Sequence, residues 1–464
     1  MVFMADMPNL KRMALVLGPL AALVSGYALS ANGFSSDAAV TLGVTVICVI
    51  WWIFEPVPIP VTSLLPLALL PMFGVLTKEQ TSQAYGHDLV LLLLGGFILS
   101  TAMERSGAHR RVALTMVRAF GGTSSRRLVF GFMAASAALS MWISNTATTL
   151  MLLPVALAVL ERSKDPMLAT PLLLGIAYAA NIGGIGTPIG TPPNVVFMGV
   201  YEEATGATIT FATWMGWGVP IVLVFLPLMA LWLTRSLTYQ GRPDLPETGP
   251  WRSEEKRVLT VFALTALAWI TRREPFGGWT ELLNLPYTND AMVAFIAVVA
   301  MFIIPDGKGK KLLDWESANR IPWGMLILFG GGLAIASAFK ASGLSESLGM
   351  GLSALSTLPT FAVLLIVCAC VTFLTETTSN TATTALLMPI LAAGAIGAGL
   401  DPKLLMVPAA MSASCAFMLP VATAPNVIMF STRRFTSGQM IKEGLALNFI
   451  GIFVIGSMCY LFFG

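Results

Sequence analysis

The run Ser144-Asn145-Thr146-Ala147-Thr148-Thr149 recurs unchanged as Ser379-Asn380-Thr381-Ala382-Thr383-Thr384, 235 residues further along a chain of 464. Hydroxyls and asparagine amides in such a run can donate to a carboxylate, while asparagine and backbone carbonyl oxygens can coordinate a hard cation such as sodium. Each copy lies between two apolar arms, so its polar atoms are destined for burial, where an unpaired group is costly. They need a ligand or one another. Helix N-termini at these positions would add a field favourable to an anion. The second polar element is the run from Asn181 to Asn194, Asn-Ile-Gly-Gly-Ile-Gly-Thr-Pro-Ile-Gly-Thr-Pro-Pro-Asn, inside a long apolar segment. So much glycine and proline cannot remain a regular helix, and the broken turn frees carbonyl oxygens. Its counterpart is Pro420-Val421-Ala422-Thr423-Ala424-Pro425-Asn426. Two polar tips and two broken helices make a four-part site, symmetric in sequence. Such a site suits a symmetric ligand, for example a four-carbon diacid with one carboxylate at each tip.

A single Ser-Asn-Thr in a membrane segment is more often glue between helices than a ligand site, and the identical duplicate reverses that preference. The surroundings repeat as well: Ser140 answers Thr375, Pro154 answers Pro389, and Gly95-Gly96 to Gly107 answers Gly331-Gly332 to Gly343 at an offset of 236. Thr191-Pro192-Pro193-Asn194 answers Thr423-Ala424-Pro425-Asn426. The doubled glycines are read as close helix packing. Glu376, beside the second tip, is a buried acid that suggests either a proton relay or a hydrogen-bonding strut. Because its repeat partner is Met141, the strut is the better reading. His87 and His109 have no metal-ligand spacing, and the five cysteines, all in apolar stretches, read as packing residues.

A chain with 56% apolar and 11% charged residues is far from the composition of soluble domains. Apolar segments long enough for a bilayer lie near 13–30, 38–54, 61–75, 89–103, 170–200, 213–234, 257–271, 289–304, 322–339, 403–430 and 444–463. The pairs 128–141 with 147–160, and 357–374 with 382–397, flank the polar tips. They are read as re-entrant hairpins, since polar backbone at membrane depth is tolerated only inside protein or against a water-filled cavity. The expected fold is therefore an all-α polytopic membrane protein of about eleven spans plus two hairpins. With the N-terminus cytoplasmic and the C-terminus outside, 22 of the basic residues fall inside and five (Lys78, Arg272, Arg273, Lys340, Lys403) outside, as the positive-inside rule requires. Five spans separate the hairpins, so the repeats are inverted, the pattern of a secondary transporter with its site at the midplane. The expected divisions are an N-terminal helix to residue 36, a first repeat 37–234, a cytoplasmic connector 235–256 and a second repeat 257–464. A net charge of +3 gives no argument for nucleic acid. No phosphate-binding glycine loop suggests a pump, and no His-Glu-x-x-His, Gly-x-Ser-x-Gly or acid cluster suggests an enzyme.

The doubled Ser-Asn-Thr with its two downstream Thr-x-Pro-Asn turns resembles the divalent anion:sodium symporter family, in particular bacterial dicarboxylate transporters, over essentially the whole chain. The resemblance implies scaffold and transport parts, a homodimer in the inner membrane, and elevator-type movement. It implies one sodium site from Ser140, Ser144, Asn145 and the carbonyl of Gly190. The other would use Thr375, Thr378, Asn380 and the carbonyl of Ala422. Substrate carboxylates would meet Ser144, Asn145 and Thr146 at one tip and Ser379, Asn380 and Thr381 at the other, with Thr423 beside them. The expected activity is sodium-coupled uptake of succinate, malate or fumarate, with sodium as coupling ion and no other cofactor. Electroneutral dicarboxylate exchange on the same fold is the alternative. Ala424, where the first repeat has Pro192 and relatives often have proline, is the one departure.

Overall fold

The computed structural model describes residues 8–121, 124–239, 249–274, 276–346 and 358–464; Arg242 and residue 357, the first of the second hairpin, lie outside them. The helices run in the order α1 (Pro8–Ala31), α2 (Ser36–Phe54), α3 (Ile59–Thr62), α4 (Leu65–Met72), α5 (Lys78–Tyr85), α6 (Asp88–Ser106), α7 (Ala108–Phe120), α8 (Ser125–Ser140), α9 (Asn145–Arg162), α10 (Ala169–Gly183), α11 (Pro192–Thr205) and α12 (Phe211–Leu233). They continue with α13 (Ser253–Ile270), α14 (Gly278–Leu282), α15 (Asp290–Ile303), α16 (Trp315–Ala318), α17 (Trp323–Ala341), α18 (Thr360–Thr375), α19 (Asn380–Gly397), α20 (Lys403–Ser412), α21 (Ala424–Phe430) and α22 (Ser437–Phe463).

Each apolar segment expected to cross the membrane contains helix, some of it interrupted. Among the described residues eight stretches are long and apolar enough to span, while Ile59–Met72, Asp290–Ile303 and Lys403–Ser412 are shorter apolar helices. Proline accounts for part of the shortening: Pro66 sits at the start of α4 and Pro71 inside it. The two broken segments are real breaks. After α10 the chain tightens into a 3-10 turn at Gly184–Gly186 before α11 begins at Pro192, and after α20 it runs irregularly to Thr423, the N-cap of α21. Both polar tips are helix-turn-helix corners, with Ser144 and Ser379 as the N-caps of α9 and α19.

Small residues set the helix spacing. A Cβ on Gly95 would lie 2.5 Å from Ala294 Cβ, one on Gly331 would lie 2.7 Å from the Ser63 carbonyl, and one on Gly183 would lie 2.3 Å from the Ala137 carbonyl. Real side chains cannot approach so closely, so α10 packs on α8 backbone against backbone, and α6 sets its backbone against a methyl group of α15. The arginine-rich stretch from Arg105 to Arg127 is more than a solvated face. It contains α7, whose Ala113, Leu114 and Val117 are buried, an amphipathic helix packed by one stripe and wet on the other. Of the cysteines, Cys370 is exposed and the other four are buried.

The basic residues assigned to one side meet at one end of the bundle. Arg105 pairs with Asp314 (2.7 Å), Arg111 with Glu255 (2.8 Å), Lys308 with Glu254 (2.6 Å) and Arg235 with Glu443 (2.7 Å). The bonded Lys308 ammonium holds the Glu254 carboxyl below its usual range. At the opposite end Arg272 pairs with Asp290 (2.5 Å), and Lys340 donates to the Glu203 carbonyl (2.7 Å). Lys308 and Lys340 should therefore report opposite membrane faces. In a background without native cysteines, Lys308→Cys is expected to react with an impermeant maleimide only from the cytoplasmic face of sided vesicles, and Lys340→Cys only from the outer face. Labelling of both from one face would break the assignment.

Candidate functional site

The tip of the first hairpin is organised by Asn145. Ser140, the last residue of α8, donates through Oγ to Asn145 Oδ1 (2.5 Å), and Thr149 donates to the Asn145 carbonyl (2.7 Å). The second hairpin repeats both bonds: Thr375 Oγ1 donates to Asn380 Oδ1 (2.8 Å), and Thr384 to the Asn380 carbonyl (2.7 Å). In each case a hydroxyl on the incoming arm turns the asparagine carbonyl toward the corner.

The broken helices repeat their own device. Asn194 Nδ2 donates to the carbonyls of Gly184 (2.8 Å) and Thr187 (2.7 Å), ten and seven residues upstream. Asn426 Nδ2 donates to those of Ala416 (3.0 Å) and Leu419 (3.1 Å), at the same separations. An unwound turn leaves buried carbonyls without ladder partners, and one side-chain amide satisfies two of them. Trp214 Nε1 donates to the Ile185 carbonyl (2.8 Å), and Thr187 Oγ1 to that of Met141. Asn181, Asn194 and Asn426 are fully buried, and the Oδ1 of each lacks a hydrogen-bond partner among the described residues.

The tips and turns converge. A Cβ added to Gly184 would lie 3.0 Å from Asn145 Oδ1 and 3.1 Å from the Gly190 carbonyl oxygen. One added to Gly190 would lie 2.5 Å from the Gly184 carbonyl oxygen and 3.0 Å from that of Ser140. Four oxygens, from Ser140, Asn145, Gly184 and Gly190, thus crowd a space that any side chain at the two glycines would fill. Of the residues expected for a first sodium site, Ser140, Asn145 and Gly190 come together here, while the Ser144 hydroxyl caps α9 by accepting from the Ala147 N–H (3.1 Å). Gly184 is an addition, foreshadowed only by the density of glycine in its run.

In the second half the single hydroxyl hydrogen of Thr375 is shared between Asn380 Oδ1 and the Ala413 carbonyl, 2.9 Å from Oγ1, which brings Thr375, Asn380 and Ala413 together. Nothing in the sequence marks Ala413. The Thr378 hydroxyl is engaged with the Leu374 carbonyl (2.9 Å) and the Thr383 hydroxyl (2.5 Å). The Ala422 N–H donates to the Leu419 carbonyl (3.2 Å), which folds that residue into the turn held by Asn426.

The anion-binding elements differ slightly between tips. The first four N–H groups of a helix have no partner within it. Ser144 caps one of them at α9, whereas Ser379 makes no side-chain cap at α19, leaving its hydroxyl and the adjacent N–H groups for a ligand. Ser144 is exposed, Asn145, Thr146, Ser379 and Asn380 are half-buried, and Thr381 is buried. Thr423 joins the halves: its Oγ1 accepts from Asn181 Nδ2 (3.1 Å). Glu376 is the strut its position suggested, taking N–H groups of the second turn. Its bonds to Phe417, Met418 and Leu419 lie between 2.7 and 3.0 Å. His87 caps α6 by accepting from the Leu89 N–H (3.2 Å), and His109 Nδ1 bonds the Met103 carbonyl (3.0 Å).

Comparison with known proteins converges on one family. A family model described as citrate transporter matches residues 49–402. The chain is 40% identical to the sodium-dependent dicarboxylate transporter SdcS of Staphylococcus saprophyticus, over 96% of this chain and 90% of the relative. It is also 40% identical, with the same coverage, to the protein of that name from Staphylococcus aureus strain USA300. Among solved structures it resembles the Alcanivorax borkumensis YdaH transporter, described as having an unusual topology, with a TM-score of 0.58 at 17% identity over 83% of this chain and 87% of that one. That likeness concerns the fold alone. A multi-pass helical membrane protein with paired Ser-Asn-Thr tips, it is a transporter rather than an enzyme, and the chain belongs to the citrate transporter family and to the divalent anion:sodium symporter family.

Proposed function

We propose that the protein carries C4-dicarboxylates such as succinate, malate and fumarate into the cytoplasm, coupled to sodium entry across a bacterial inner membrane. The observation that carries this reading is the oxygen cage of Ser140, Asn145, Gly184 and Gly190, echoed by Thr375, Asn380 and Ala413 in the second half. Oxygens alone, without a nitrogen or sulfur ligand, suit a hard cation. The asparagine side chain is shared between cation and substrate: its Oδ1 turns into the cage while its amide nitrogen is left for an anion at the helix N-terminus.

Among the described residues the hydrogen-bond partners of the tip side chains are hydroxyls, amides and carbonyls. A dianion bound there has no fixed cationic side chain among them, and its transfer from water needs compensation. Sodium in the cages supplies it, which makes substrate and cation binding mutually dependent. Substrate contacts are assigned to Ser144, Asn145 and Thr146, to Ser379, Asn380 and Thr381, and to Thr423. Sodium is assigned to Ser140, Asn145 and Gly190 with Gly184, and to Thr375, Asn380 and Ala422 with Ala413. Ser144 and Thr378 are assigned to the same two sodium sites, which requires their hydroxyls to turn from the Ala147 N–H and from Leu374 and Thr383. The inverted repeat supports alternating access by an elevator movement of the part bearing both hairpins, in a homodimer. The relatives named for sodium-dependent dicarboxylate transport favour symport over exchange.

Purified protein in empty liposomes is expected to accumulate labelled succinate under an inward sodium gradient and to do so at background level with potassium. Uptake that instead requires internal dicarboxylate would replace symport by exchange. Gly184→Ala places a methyl group 3.0 Å from Asn145 Oδ1 and is expected to raise the sodium concentration for half-maximal uptake about tenfold, or about 1.4 kcal/mol. An unchanged sodium dependence would remove the cage. Asn380→Ala, which deletes the shared oxygen and amide of the second tip, is expected to abolish coupled uptake while the protein still elutes as a folded dimer. Retained sodium-dependent transport would take that residue out of the site.

A further inference from the structure

The two halves, so alike in their hydroxyls and asparagines, differ in one charge. Glu376 stands where the first repeat has Met141. Its side chain is 4% exposed. Oε1 accepts from the N–H groups of Phe417 (2.7 Å) and Met418 (2.9 Å) and from Asn448 Nδ2 (2.8 Å), and Oε2 from the Leu419 N–H (3.0 Å). All four partners donate, the pattern of an ionised carboxylate acting only as an acceptor. Each is an amide, so the charge is met by dipoles and not by a cation. In the first half the same position carries a thioether, packed where a Cβ on Gly186 would lie 2.7 Å from Met141 Cε.

The carboxylate is bound into the second cage from two directions. Through the chain it adjoins Thr375, whose one hydroxyl hydrogen lies within reach of both Asn380 Oδ1 and the Ala413 carbonyl. Through its amide bonds it grips residues 417–419 of the turn, whose Leu419 carbonyl receives both the Ala422 N–H and Asn426 Nδ2. Charges interact strongly in a buried, poorly polarisable setting and little in water. An ion held by dipoles alone remains undercompensated there, and a monovalent cation in the neighbouring cage would relieve it. On the sodium-coupled reading given above, on which this step rests, we infer that Glu376 is the fixed counter-charge of the second cation site, so that the two cages bind sodium unequally and the second binds it more tightly. Met141 gives the first cage no equivalent.

The test reads sodium binding directly, without transport. The full-length protein in detergent is melted over a series of sodium chloride concentrations, with choline chloride keeping the ionic strength constant. Sodium that binds the folded state raises the melting temperature with its own concentration dependence. Glu376→Gln is expected to move the midpoint of that response at least tenfold to higher sodium. Glu376→Asp, which keeps the charge, is expected to return it to within about threefold of the unaltered protein, by analogy with the distance dependence of charge interactions. A strut without an electrostatic role predicts something else: a melting temperature lowered equally at every sodium concentration, with an unmoved midpoint, and that result overturns the inference. Should Glu376→Gln not yield monodisperse protein, Asn448→Lys leaves the carboxylate and its backbone bonds in place and sets an ammonium beside it; the same rise in midpoint is expected, and an unmoved midpoint again overturns it. If the unaltered protein shows no response to sodium, the sodium-coupled reading falls together with the inference. If it responds and the variants respond identically, only the inference falls.

Discussion

Everything at the centre of this protein depends on how an interrupted helix satisfies its backbone away from water. A lipid-embedded chain cannot leave carbonyl and amide groups unpaired, yet a cation site needs carbonyl oxygens that are not consumed by a helical ladder. Asn194 and Asn426 resolve the conflict. Each spends one side-chain amide on two carbonyls of its turn, which fixes the turn in a single shape without a helical ladder. The hairpin corners follow the same logic on a smaller scale, with Ser140 and Thr375 each holding the asparagine of its own tip. Without these bonds the glycine-rich run would have neither a defined form nor a reason to stay dry.

The halves are also bound across the repeat boundary. α9, the outgoing arm of the first hairpin, packs on α21 of the second half, and α11 of the first half packs on α19 of the second. Asn181 reaches Thr423, and the Tyr178 hydroxyl donates to the Phe417 carbonyl at 2.6 Å. Each tip is therefore supported by the other repeat's broken helix. Such crossing ties the four elements together, and on the proposed reading it suits movement of the site as a unit. Phe417 belongs to both connections, since its N–H is held by Glu376 and its carbonyl by Tyr178.

Much of this was legible in the sequence because duplication reports geometry without an alignment. The identical six-residue tips, the matched hydroxyls at 140 and 375, and the matched asparagines at 194 and 426 each mark a hydrogen bond that occurs twice. Apolar length located the helices. What escaped was whatever depends on backbone atoms or on a single copy. Ala413 contributes a carbonyl, and any residue could do so; Gly184 is one glycine among several; Thr378 turns to Thr383, a choice of rotamer that spacing does not fix. The amphipathic α7 was hidden by arginines, since the five between 110 and 127, three of them in the helix itself, resemble a solvated loop until Leu114 and Val117 are seen to be buried.

The charges show why a site of neutral residues can prefer a dianion. The N-terminus of a helix carries about half a positive charge, so α9 and α19 together offer about one to a ligand with two negative charges. The deficit, together with the carboxylate of Glu376, comes to about two negative charges in a setting that tolerates little imbalance. On the proposed reading two sodium ions bring the sum near zero. A tricarboxylate would leave one further negative charge without a partner unless it bound a proton or another cation. A monocarboxylate would leave one cage's cation uncompensated and one helix N-terminus without an anion. Selectivity for a diacid then arises less from any residue that grips it than from the one ligand charge at which both cages and both helix ends are satisfied.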